Sequence, residues 1–295
     1  MKVVSIVVNF NDDEDTKKYL EMMKNYDIID KILVVDNKST KINSYESLLS
    51  FKSSKIEIIQ TDKNGGYNYG INYGIKYLES MDEKYDYFII SNPDISIEES
   101  AIKNVIDILE KNEKYAMGSP RMYDKNLKPI RRSSWKKRTY LRDVVHSTRL
   151  LELIFYKVLR NGEYSAIDYE KSILEVEALS GAFFIIKNNI LKEIDYLDEN
   201  VFLFYEEDIL SNRIEEKGYK IFSLNSEKFI HYESKSIGKT FSYFKKMREM
   251  FRSRIYFQKQ YNHINTIQVI ILYVLYFFRC LELIFEVPIR KILNK

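Results

Sequence analysis

The 295-residue sequence contains one cysteine, Cys280, so the chain cannot form an internal disulfide. Disulfides stabilise small secreted scaffolds, and their absence favours a reducing compartment, with the cytosol as the default. The cysteine lies in an apolar C-terminal stretch, and no serine or cysteine forms a recognisable nucleophile elbow with a histidine. Covalent catalysis by a serine or cysteine is therefore not predicted.

Two common nucleotide-binding motifs are also missing. The chain has nine glycines but neither the Gly-x-Gly-x-x-Gly fingerprint of dinucleotide-binding folds nor the Gly-Lys-Ser/Thr of nucleoside triphosphate loops. The apolar run from Val3 to Val8 is too short for the core of a signal peptide, and no small-residue cleavage site follows it. We interpret this run as a first strand, and export is not indicated.

Negative charge is scarce near the C-terminus. Residues 235–295 contain 12 lysines and arginines but 3 acidic residues, although the net charge of the whole chain is only +3. The first 234 residues are therefore acidic overall. Because the basic segment also holds the longest apolar run, we expect an anionic membrane surface, and not a nucleic acid, as its partner.

Short apolar runs in the first half of the chain end in polar residues, as buried strands of a parallel sheet do. Helical patterns follow the first run, at about Asp15 to Lys24, and the last, at about Glu98 to Lys111, so the order of elements predicts successive strand–helix units. The predicted fold class is α/β, with a mostly parallel, Rossmann-like central sheet flanked by helices. The predicted strands are Val3–Val8, Ile32–Asp36, Ile56–Ile59 and Tyr87–Ile90.

Polar side chains follow three of these strands, at the sheet edge where open α/β folds bind ligands. Asn9 follows the first strand and Asp36 ends the second, while Asn92, Pro93 and Asp94 follow the fourth. Pro93 cannot continue a ladder of hydrogen bonds, so the strand ends there. Asp94 is a candidate for holding a divalent cation or a sugar hydroxyl, although these residue types are also common in turns.

Gly66, Gly70 and Gly74 recur at every fourth residue and lie on one face of a predicted helix. Such a face permits close approach either to the sheet or to the phosphates of a ligand, and the sequence leaves both open.

Residues 121–142 hold nine lysines and arginines around Trp135. They either form a basic loop that folds over a diphosphate or a solvated face, and no single arginine stands out. Arg131 and Arg132 are our candidates for contact with a bound diphosphate.

Three acidic residues, Glu206, Glu207 and Asp208, follow an aromatic run and begin a predicted helix. The helix dipole favours an acidic residue at a helix N-terminus, so one such residue does not indicate a function. Three acidic residues after an aromatic run instead predict that this segment forms the wall of a site. His231 ends an apolar strand, and the other histidines, His146 and His263, are expected at the surface.

In this order the motifs resemble those of the family 2 inverting glycosyltransferases, in particular their rhamnosyltransferase-like branch. The resemblance extends from residue 3 to about residue 236 and rests on seven short motifs. They are Ser5–Asn11, Val34–Thr40, Asn64–Asn68, Ser91–Asp94, Ser180–Ala182, Phe204–Asp208 and His231.

The resemblance implies a GT-A fold over residues 1–235, with a nucleotide-sugar-binding half (1–115) and an acceptor-binding half (116–235). Residues 236–295 then form a helical tail. By the same resemblance, Asn9 frames the nucleoside and Asp36 hydrogen-bonds the pyrimidine base. Asn64 and Gly65 are also expected to contact the donor.

The implied metal site contains Asp94, which corresponds to the last carboxylate of the metal-binding DxD motif of this family. Asn92 stands where the motif has its first acid, and we expect it to contact the donor. Asp94 and His231 would hold Mg²⁺ or Mn²⁺ against the donor diphosphate. Asp208 corresponds to the general base, with Glu207 as a substrate-binding neighbour. A base and a cation on different walls are what a one-step inverting displacement requires.

The implied function is transfer of a sugar from a nucleotide diphosphate to a hydroxyl of a glycan in cell-surface polysaccharide synthesis. dTDP-rhamnose is the expected donor, UDP sugars are the next choice, and a lipid-linked glycan is the expected acceptor. Two other functions stay open. A sugar nucleotidyltransferase is disfavoured because Asn9 to Asp12 replace a glycine-rich basic loop. A catalytically silent binding subunit on the membrane is disfavoured because Asp208 is retained.

The predicted tail contains a basic amphipathic helix followed by an apolar segment. Thr266 to Phe278 is shorter than the roughly 20 residues that cross a bilayer, so we expect it to lie peripherally on the inner face of the cell membrane. The amphipathic stripe could instead pack on the enzyme core or form a homodimer contact. The stripe is Phe241, Phe244, Met247, Phe251 and Ile255, and the intervening cations are Lys245, Lys246, Arg248, Arg252 and Arg254.

Overall fold

A nine-stranded mixed β-sheet forms the centre of the computed structural model, which describes residues 1–160, 162–232 and 243–293. The predicted boundary between catalytic domain and tail at residue 235, and Phe241 of the predicted stripe, lie outside the described residues. The strands, including a separate two-stranded pair, are β1 (Val3–Asn9), β2 (Lys31–Asp36), β3 (Ile56–Gln60), β4 (Tyr87–Ser91), β5 (Ile95–Ile97), β6 (Tyr115–Tyr123), β7 (Ser134–Trp135), β8 (Ile173–Val176), β9 (Ala178–Leu179), β10 (Phe183–Lys187) and β11 (Lys220–His231).

Helices cover both faces of the sheet and extend from it at the C-terminus. They are α1 (Asp13–Met23), α2 (Tyr67–Ser80), α3 (Glu99–Lys111), α4 (Tyr140–Val145), α5 (Arg149–Ile154), α6 (Tyr156–Arg160), α7 (Asn188–Glu193), α8 (Glu206–Glu216), α9 (Tyr243–Gln260) and α10 (Thr266–Leu293). The core has two layers. One packs α1 and α3 against the sheet, and the other packs α2, α7 and α8 against the opposite face. The predicted α/β class is confirmed.

The first four predicted strands pair in parallel in the order β3-β2-β1-β4. Asn9 lies directly opposite Asp36 in the register of β1 and β2, so both polar exits meet at one edge of the sheet. Beyond β4 the sheet becomes mixed, because β10 pairs antiparallel with both β4 and β6.

The far end of the sheet brings distant residues together. β11 runs parallel to β6, and its last residues pair antiparallel with β5, which places His231 opposite Ile95. Since Asp94 immediately precedes Ile95, this pairing brings His231 next to Asp94. The sheet therefore joins two residues that are 137 positions apart in the sequence.

The glycine face of α2 lies against the sheet. A Cβ built on Gly70 would lie 3.0 Å from Val8 Cγ1, and one on Gly74 would lie 2.8 Å from Val35 Cγ2. Gly66, which precedes the helix, has φ +99°, a conformation that side chains other than glycine rarely adopt. Close packing thus accounts for Gly70 and Gly74.

Helix α9 packs on the rest of the protein mainly through residues outside the amphipathic stripe, since Phe257 and Gln258 are fully buried. Within the stripe, Phe251 is buried and stacks on Tyr276 of α10 with ring centroids 4.1 Å apart, whereas Phe244 is exposed. The alternatives for the stripe therefore stay open. Arg254, one of the cations between the residues of the stripe, has a buried side chain that contacts Tyr205 and Ser147. The periodicity of the stripe alone does not reveal a buried cation.

Helix α10 is longer than the sequence analysis predicted. It continues through Arg279, whose guanidinium pairs with Glu282 at 2.7 Å and Glu286 at 2.8 Å, so the charge does not interrupt the helix. By length and composition alone, Thr266–Ile284 could cross a membrane, and little of this stretch is buried. The expectation that the apolar segment is too short to span is therefore wrong.

The contact between α2 and the sheet can be tested with Gly74→Val. The new side chain would collide with Val35 and Leu33, and overpacking of this kind lowers the free energy of unfolding by about 1–3 kcal/mol. Lys76→Val on the exposed side of the same helix is the matched control and should cost within about 0.5 kcal/mol. Urea denaturation measures both, and equal losses would contradict the close packing.

Candidate functional site

A cavity of about 600 Å³ lies between the loop after β4, the turn before β10 and the start of α8. It extends to α4, α5 and α9. The side chains that line it are mostly polar or aromatic, and they include five arginines. The lining residues used below are Tyr67, Asn92, Arg131, Arg132, Trp135, Arg138, His146, Glu152, Gly181, Ala182, Tyr205, Glu206, Glu207, Asp208, His231, Met250 and Arg254.

One end of the cavity contains the predicted metal ligands. His231 Nε2 lies 3.2 Å from Asp94 Oδ1, and the N–H of Tyr232 donates to the carbonyl of Asp94 at 2.9 Å. Asn92 and His231 line the cavity itself, while Asp94 is largely buried behind them. The structure therefore brings Asn92, Asp94 and His231 together, and their role as metal and donor ligands stays a prediction.

The donor atoms at this end fit a small hard cation. Mg²⁺ is usually bound by one or two protein groups together with phosphate oxygens and water, so a full protein cage is not needed. Within the described ranges, no group of three or more His, Cys, Asp or Glu side chains could hold a metal ion. Asp94 and His231 would thus supply two protein ligands to a cation whose other ligands come from elsewhere.

The chain enters α8 through an uncommon backbone conformation. Phe204 and Tyr205 both have positive φ angles, +71° and +68°, which residues other than glycine adopt at a cost of about 1–3 kcal/mol each. This left-handed pair turns the chain so that the first turn of α8 lies against the cavity. The residues that follow it are Glu206, Glu207 and Asp208.

Among these three acidic residues, no ion pair with a lysine or arginine of the described residues is found for Glu206 or Glu207. Glu207 Oε1 accepts a hydrogen bond from the N–H of Gly181 at 3.2 Å. Burial, together with the charge of Asp208, raises the pKa of Glu207. Burial, together with the charge of Glu207, raises the pKa of Glu206 well above its usual range. Tyr67, whose own pKa is raised by burial, donates to the carbonyl of Gly181 at 3.2 Å.

Asp208 is held by two donors. Trp135 Nε1 donates to Oδ1 and Arg138 Nε donates to Oδ2, both at 2.8 Å, and the Asp208 side chain is only 3% exposed. Burial raises the pKa of Asp208, and the charge of Arg138 partly opposes this rise. The same two effects act on Arg138 in the opposite directions. Burial lowers the pKa of Arg138, but the carboxylate of Asp208 and other negative neighbours outweigh burial and raise this pKa above its usual range.

A polar cluster along the cavity wall continues from Arg138 to the buried Asp143. Asp143 accepts from Tyr205 Oη at 2.8 Å and from Gln258 Nε2 at 2.7 Å, and lies 3.5 Å from Arg138 Nη1. Arg254 donates to Tyr205 Oη at 3.0 Å, and Arg138 lies 4.7 Å from the centre of the Tyr205 ring. We call Asp208, Arg138, Asp143, Tyr205 and Arg254 the arginine–carboxylate cluster.

The other predicted donor-binding residues lie outside the lining of the cavity. Asn9 Nδ2 donates to Asp36 Oδ2 at 2.6 Å, and the fully buried Asp36 also accepts from Ser39 and Gln60. Asn64 accepts from Asn37 at 3.2 Å. Gly65 lies against the ring of Tyr69. Asn9, Asp36 and Asn64 thus form a hydrogen-bonded layer at the edge of β1 and β2, and their contact with a nucleoside stays a prediction.

Arg131 and Arg132 line the cavity but are exposed, so they are free to reach a ligand. The sequence analysis did not single out Trp135, Arg138, Tyr205 or Arg254 as site residues. No local pattern separates Arg138 from the other cations near it. The prediction that His146 is a surface residue is wrong, because its half-buried ring lines the cavity and bonds Glu152 at 3.1 Å.

Residues 5–167, more than half of the chain, match the sequence profile of the family described as glycosyl transferase family 2. Among characterised proteins, the low-salt glycan biosynthesis hexosyltransferase Agl10 of Haloferax volcanii is 25% identical over 203 residues. The match covers 68% of this chain and 58% of Agl10, so this chain spans little more than half of the length of that relative.

Solved glycosyltransferases share the fold. The mannosyltransferase PcManGT of Pyrobaculum calidifontis, solved with GDP-Man and Mn²⁺, gives a TM-score of 0.58 at 14% identity, over 90% of this chain and 65% of its own. TarS 1–349 of S. aureus, solved with UDP-GlcNAc, gives a TM-score of 0.57 at 15% identity, and the match covers 87% of this chain and 65% of TarS 1–349. GalNAc-T7, solved with UDP, GalNAc and Mn²⁺, gives a TM-score of 0.58 at 13% identity, and the match covers 79% of this chain and 44% of GalNAc-T7.

The arginine–carboxylate cluster can be tested with Arg138→Gln. This change leaves Asp208 buried without its counter-charge, and breaking a buried pair in this way should cost about 3 kcal/mol of unfolding free energy. Lys137→Gln is the matched control, because Lys137 pairs with Glu215 at the surface and should cost at most about 1 kcal/mol. Chemical denaturation distinguishes the two, and a loss at Arg138 no larger than that at Lys137 would contradict the account.

Proposed function

Because the chain belongs to glycosyl transferase family 2, we propose that it transfers a sugar from a nucleotide diphosphate to a hydroxyl group of a glycan. The observation that carries this proposal is the composition of one cavity. The acidic first turn of α8 and the pair Asn92 and His231, with Asp94 behind them, line the same space. An inverting displacement needs such a combination of a base and a site for the departing diphosphate.

The donor is a nucleotide sugar, and dTDP-rhamnose is our first choice, with a UDP sugar next. The solved glycosyltransferases that share the fold, with UDP, GDP-Man or UDP-GlcNAc bound, support a nucleotide donor. The hexosyltransferase relative supports a hexose. We place the nucleoside at the layer of Asn9, Asp36, Asn64 and Gly65. Arg131 and Arg132 then reach the diphosphate from the cavity wall.

The protein groups act on the two ends of the displacement. Asp94 and His231 hold Mg²⁺ or Mn²⁺ beside Asn92, and this cation neutralises the charge of the departing diphosphate. Two of the solved relatives contain Mn²⁺. The acidic first turn of α8, in which the sequence predicts Asp208 as the base, takes the proton of the acceptor hydroxyl. Inversion in one step needs no covalent nucleophile.

The acceptor is a lipid-linked glycan, and the protein works on the cytoplasmic face of a membrane. An apolar surface supports this part of the proposal. Arg149 and Leu150 at the start of α5 donate their N–H groups to Glu282 of α10 at 2.8 and 3.2 Å, so both helices present one face. We call it the α5–α10 surface. Its exposed side chains are Leu150, Leu153, Ile154, Ile267, Ile270, Ile271, Val274, Phe277 and Phe278.

Many exposed apolar side chains on two helices that contact each other are typical of a membrane or protein interaction site. Arg248 and Arg252 on the neighbouring helix α9 are exposed and can meet anionic lipid headgroups. Glu152 of α5 and Met250 of α9 line the cavity, so the cavity reaches the helices that carry the α5–α10 surface or pack against it. A lipid-linked acceptor can thus enter from the membrane side.

Donor binding is tested by thermal unfolding with UDP, dTDP, GDP, CMP and ADP, each with and without Mn²⁺. A ligand that binds the folded state stabilises it, by about 2.7 kcal/mol at 100-fold excess over Kd. We expect a metal-dependent rise in Tm with one pyrimidine diphosphate. Asp94→Asn should remove the metal-dependent part, while Asp107→Asn on the exposed side of α3 should keep it. No rise with any nucleotide would contradict the proposal.

Membrane binding is tested by flotation with vesicles that contain anionic lipid. The double variant Ile270→Glu with Phe277→Glu puts two charges on the α5–α10 surface and should reduce the bound fraction at least tenfold. Ile42→Glu, on an exposed loop far from α10 in the sequence, is the control and should float like the unmodified protein. Equal flotation of both variants would exclude this surface as the lipid-binding site.

A further inference from the structure

Arg142 of α4 is a further cation in the lining of the cavity. Its Nη1 donates to the carbonyls of Lys136 and Lys137 at 2.7 and 2.9 Å. Its Nε is buried and has no hydrogen-bond partner among the described residues. A buried donor without a partner costs free energy and calls for an explanation. A ligand that supplies the missing acceptor explains it.

Arg142 also differs from Arg131 and Arg138 in its charge environment. Arg138 pairs with Asp208 at 2.8 Å, and Arg131 lies 3.8 Å from Glu163. In the part of the chain that the structure describes, no ion pair with an acidic residue is found for Arg142. Burial and the charge of Arg138 lower the pKa of Arg142. An anion bound beside Arg142 would relieve this repulsion.

The guanidinium of Arg142 lies against the backbone of Gly162. A Cβ at this position would collide with Cζ, Nη2 and Nε of Arg142, so the guanidinium fits there because residue 162 is glycine. The N–H of Lys136 donates to the carbonyl of Gly162 at 2.9 Å, which fixes Gly162 beside the carbonyls that hold Nη1. The position of Arg142 is thus fixed by backbone groups, unlike that of the exposed Arg131 and Arg132.

This part of the cavity adjoins the α5–α10 surface. His146 follows Arg142 by one helical turn and bonds Glu152 of α5 at 3.1 Å, and both line the cavity. Glu152 also pairs with Arg149 at 3.3 Å, so its charge is already balanced. Leu153, the next residue of α5, belongs to the α5–α10 surface. An acceptor that enters from this surface therefore comes close to Arg142.

Resting on the proposed function, we propose that Arg142 binds an oxyanion of the acceptor. The phosphate that joins a glycan to its lipid and the carboxylate of an acidic sugar share this chemistry, because both accept hydrogen bonds from the Nε–Nη2 edge of a guanidinium. The oxyanion lies between the reacting hydroxyl and the apolar part of the acceptor. Arg142 selects the acceptor by its charge and takes no part in the displacement itself.

The test uses the fluorescence of Trp135, the sole tryptophan, which lines the cavity and reports on what binds there. The protein is titrated with dodecyl phosphate, dodecyl glucuronide and uncharged dodecyl maltoside, each below its critical micelle concentration. We expect one anionic amphiphile to bind about tenfold more tightly than dodecyl maltoside, because hydrogen bonds to charged groups are the strong ones. Tighter binding of dodecyl phosphate identifies a lipid phosphate, and tighter binding of dodecyl glucuronide identifies an acidic sugar.

Arg142→Gln should remove the preference for the anionic head group. Arg142→Lys should keep part of it, because lysine keeps the charge but not the planar edge. Arg160→Gln is the matched control, since Arg160 is exposed and lies outside the cavity lining, and it should bind like the unmodified protein.

A purely structural role of Arg142 would lower the Tm of Arg142→Gln and leave the preference unchanged. That result would overturn the proposal, and so would equal binding of the three amphiphiles by the unmodified protein. The titration contains no nucleotide, so its outcome is separate from donor binding, on which the proposed function depends and which thermal unfolding tests.

Discussion

The site depends on the arginine–carboxylate cluster, which forms part of the cavity wall. Asp143 is completely buried and holds Tyr205, Gln258 and Arg138, so α4, the start of α8 and α9 meet at one carboxylate. Buried charges are costly unless they are paired and hydrogen-bonded. The hydrogen bonds and the ring contact of Tyr205 also offset the left-handed backbone at this residue, which orients the first turn of α8. The acidic wall of the cavity therefore depends on hydrogen bonds and ion pairs between residues from distant parts of the chain.

The sheet edge could be predicted from the sequence because its information is local. Each of the first four strands is an apolar run with a polar exit, and parallel pairing then places Asn9, Asp36 and Asp94 at one edge. The sequence does not indicate that β10 is antiparallel, because the apolar run Phe183–Lys187 is typical of a buried strand in either direction. The meeting of His231 with Asp94 likewise follows from the pairing of β5 with β11, which connects residues far apart in the sequence.

Within the site, residue types were predictable but roles were not. The sequence identifies three acidic residues at the start of α8, yet only the structure shows that Phe204 and Tyr205 have positive φ angles and that Arg138 pairs with Asp208. Arg254 illustrates the same limit. Its position in a basic helix indicates an exposed cation, but a partner 49 residues away, Tyr205, makes it a buried member of the cluster.

We propose that one cavity holds a nucleotide sugar with its diphosphate at Asp94 and its anomeric carbon near the acidic first turn of α8. A crystal structure of the protein with Mn²⁺ and the stabilising nucleotide sugar tests this most directly, through the anomalous signal of the metal. We predict a peak within bonding distance of Asp94, His231 and the diphosphate, with the anomeric carbon facing the carboxylates in the first turn of α8. A peak elsewhere, or a sugar bound away from the first turn of α8, would contradict the account.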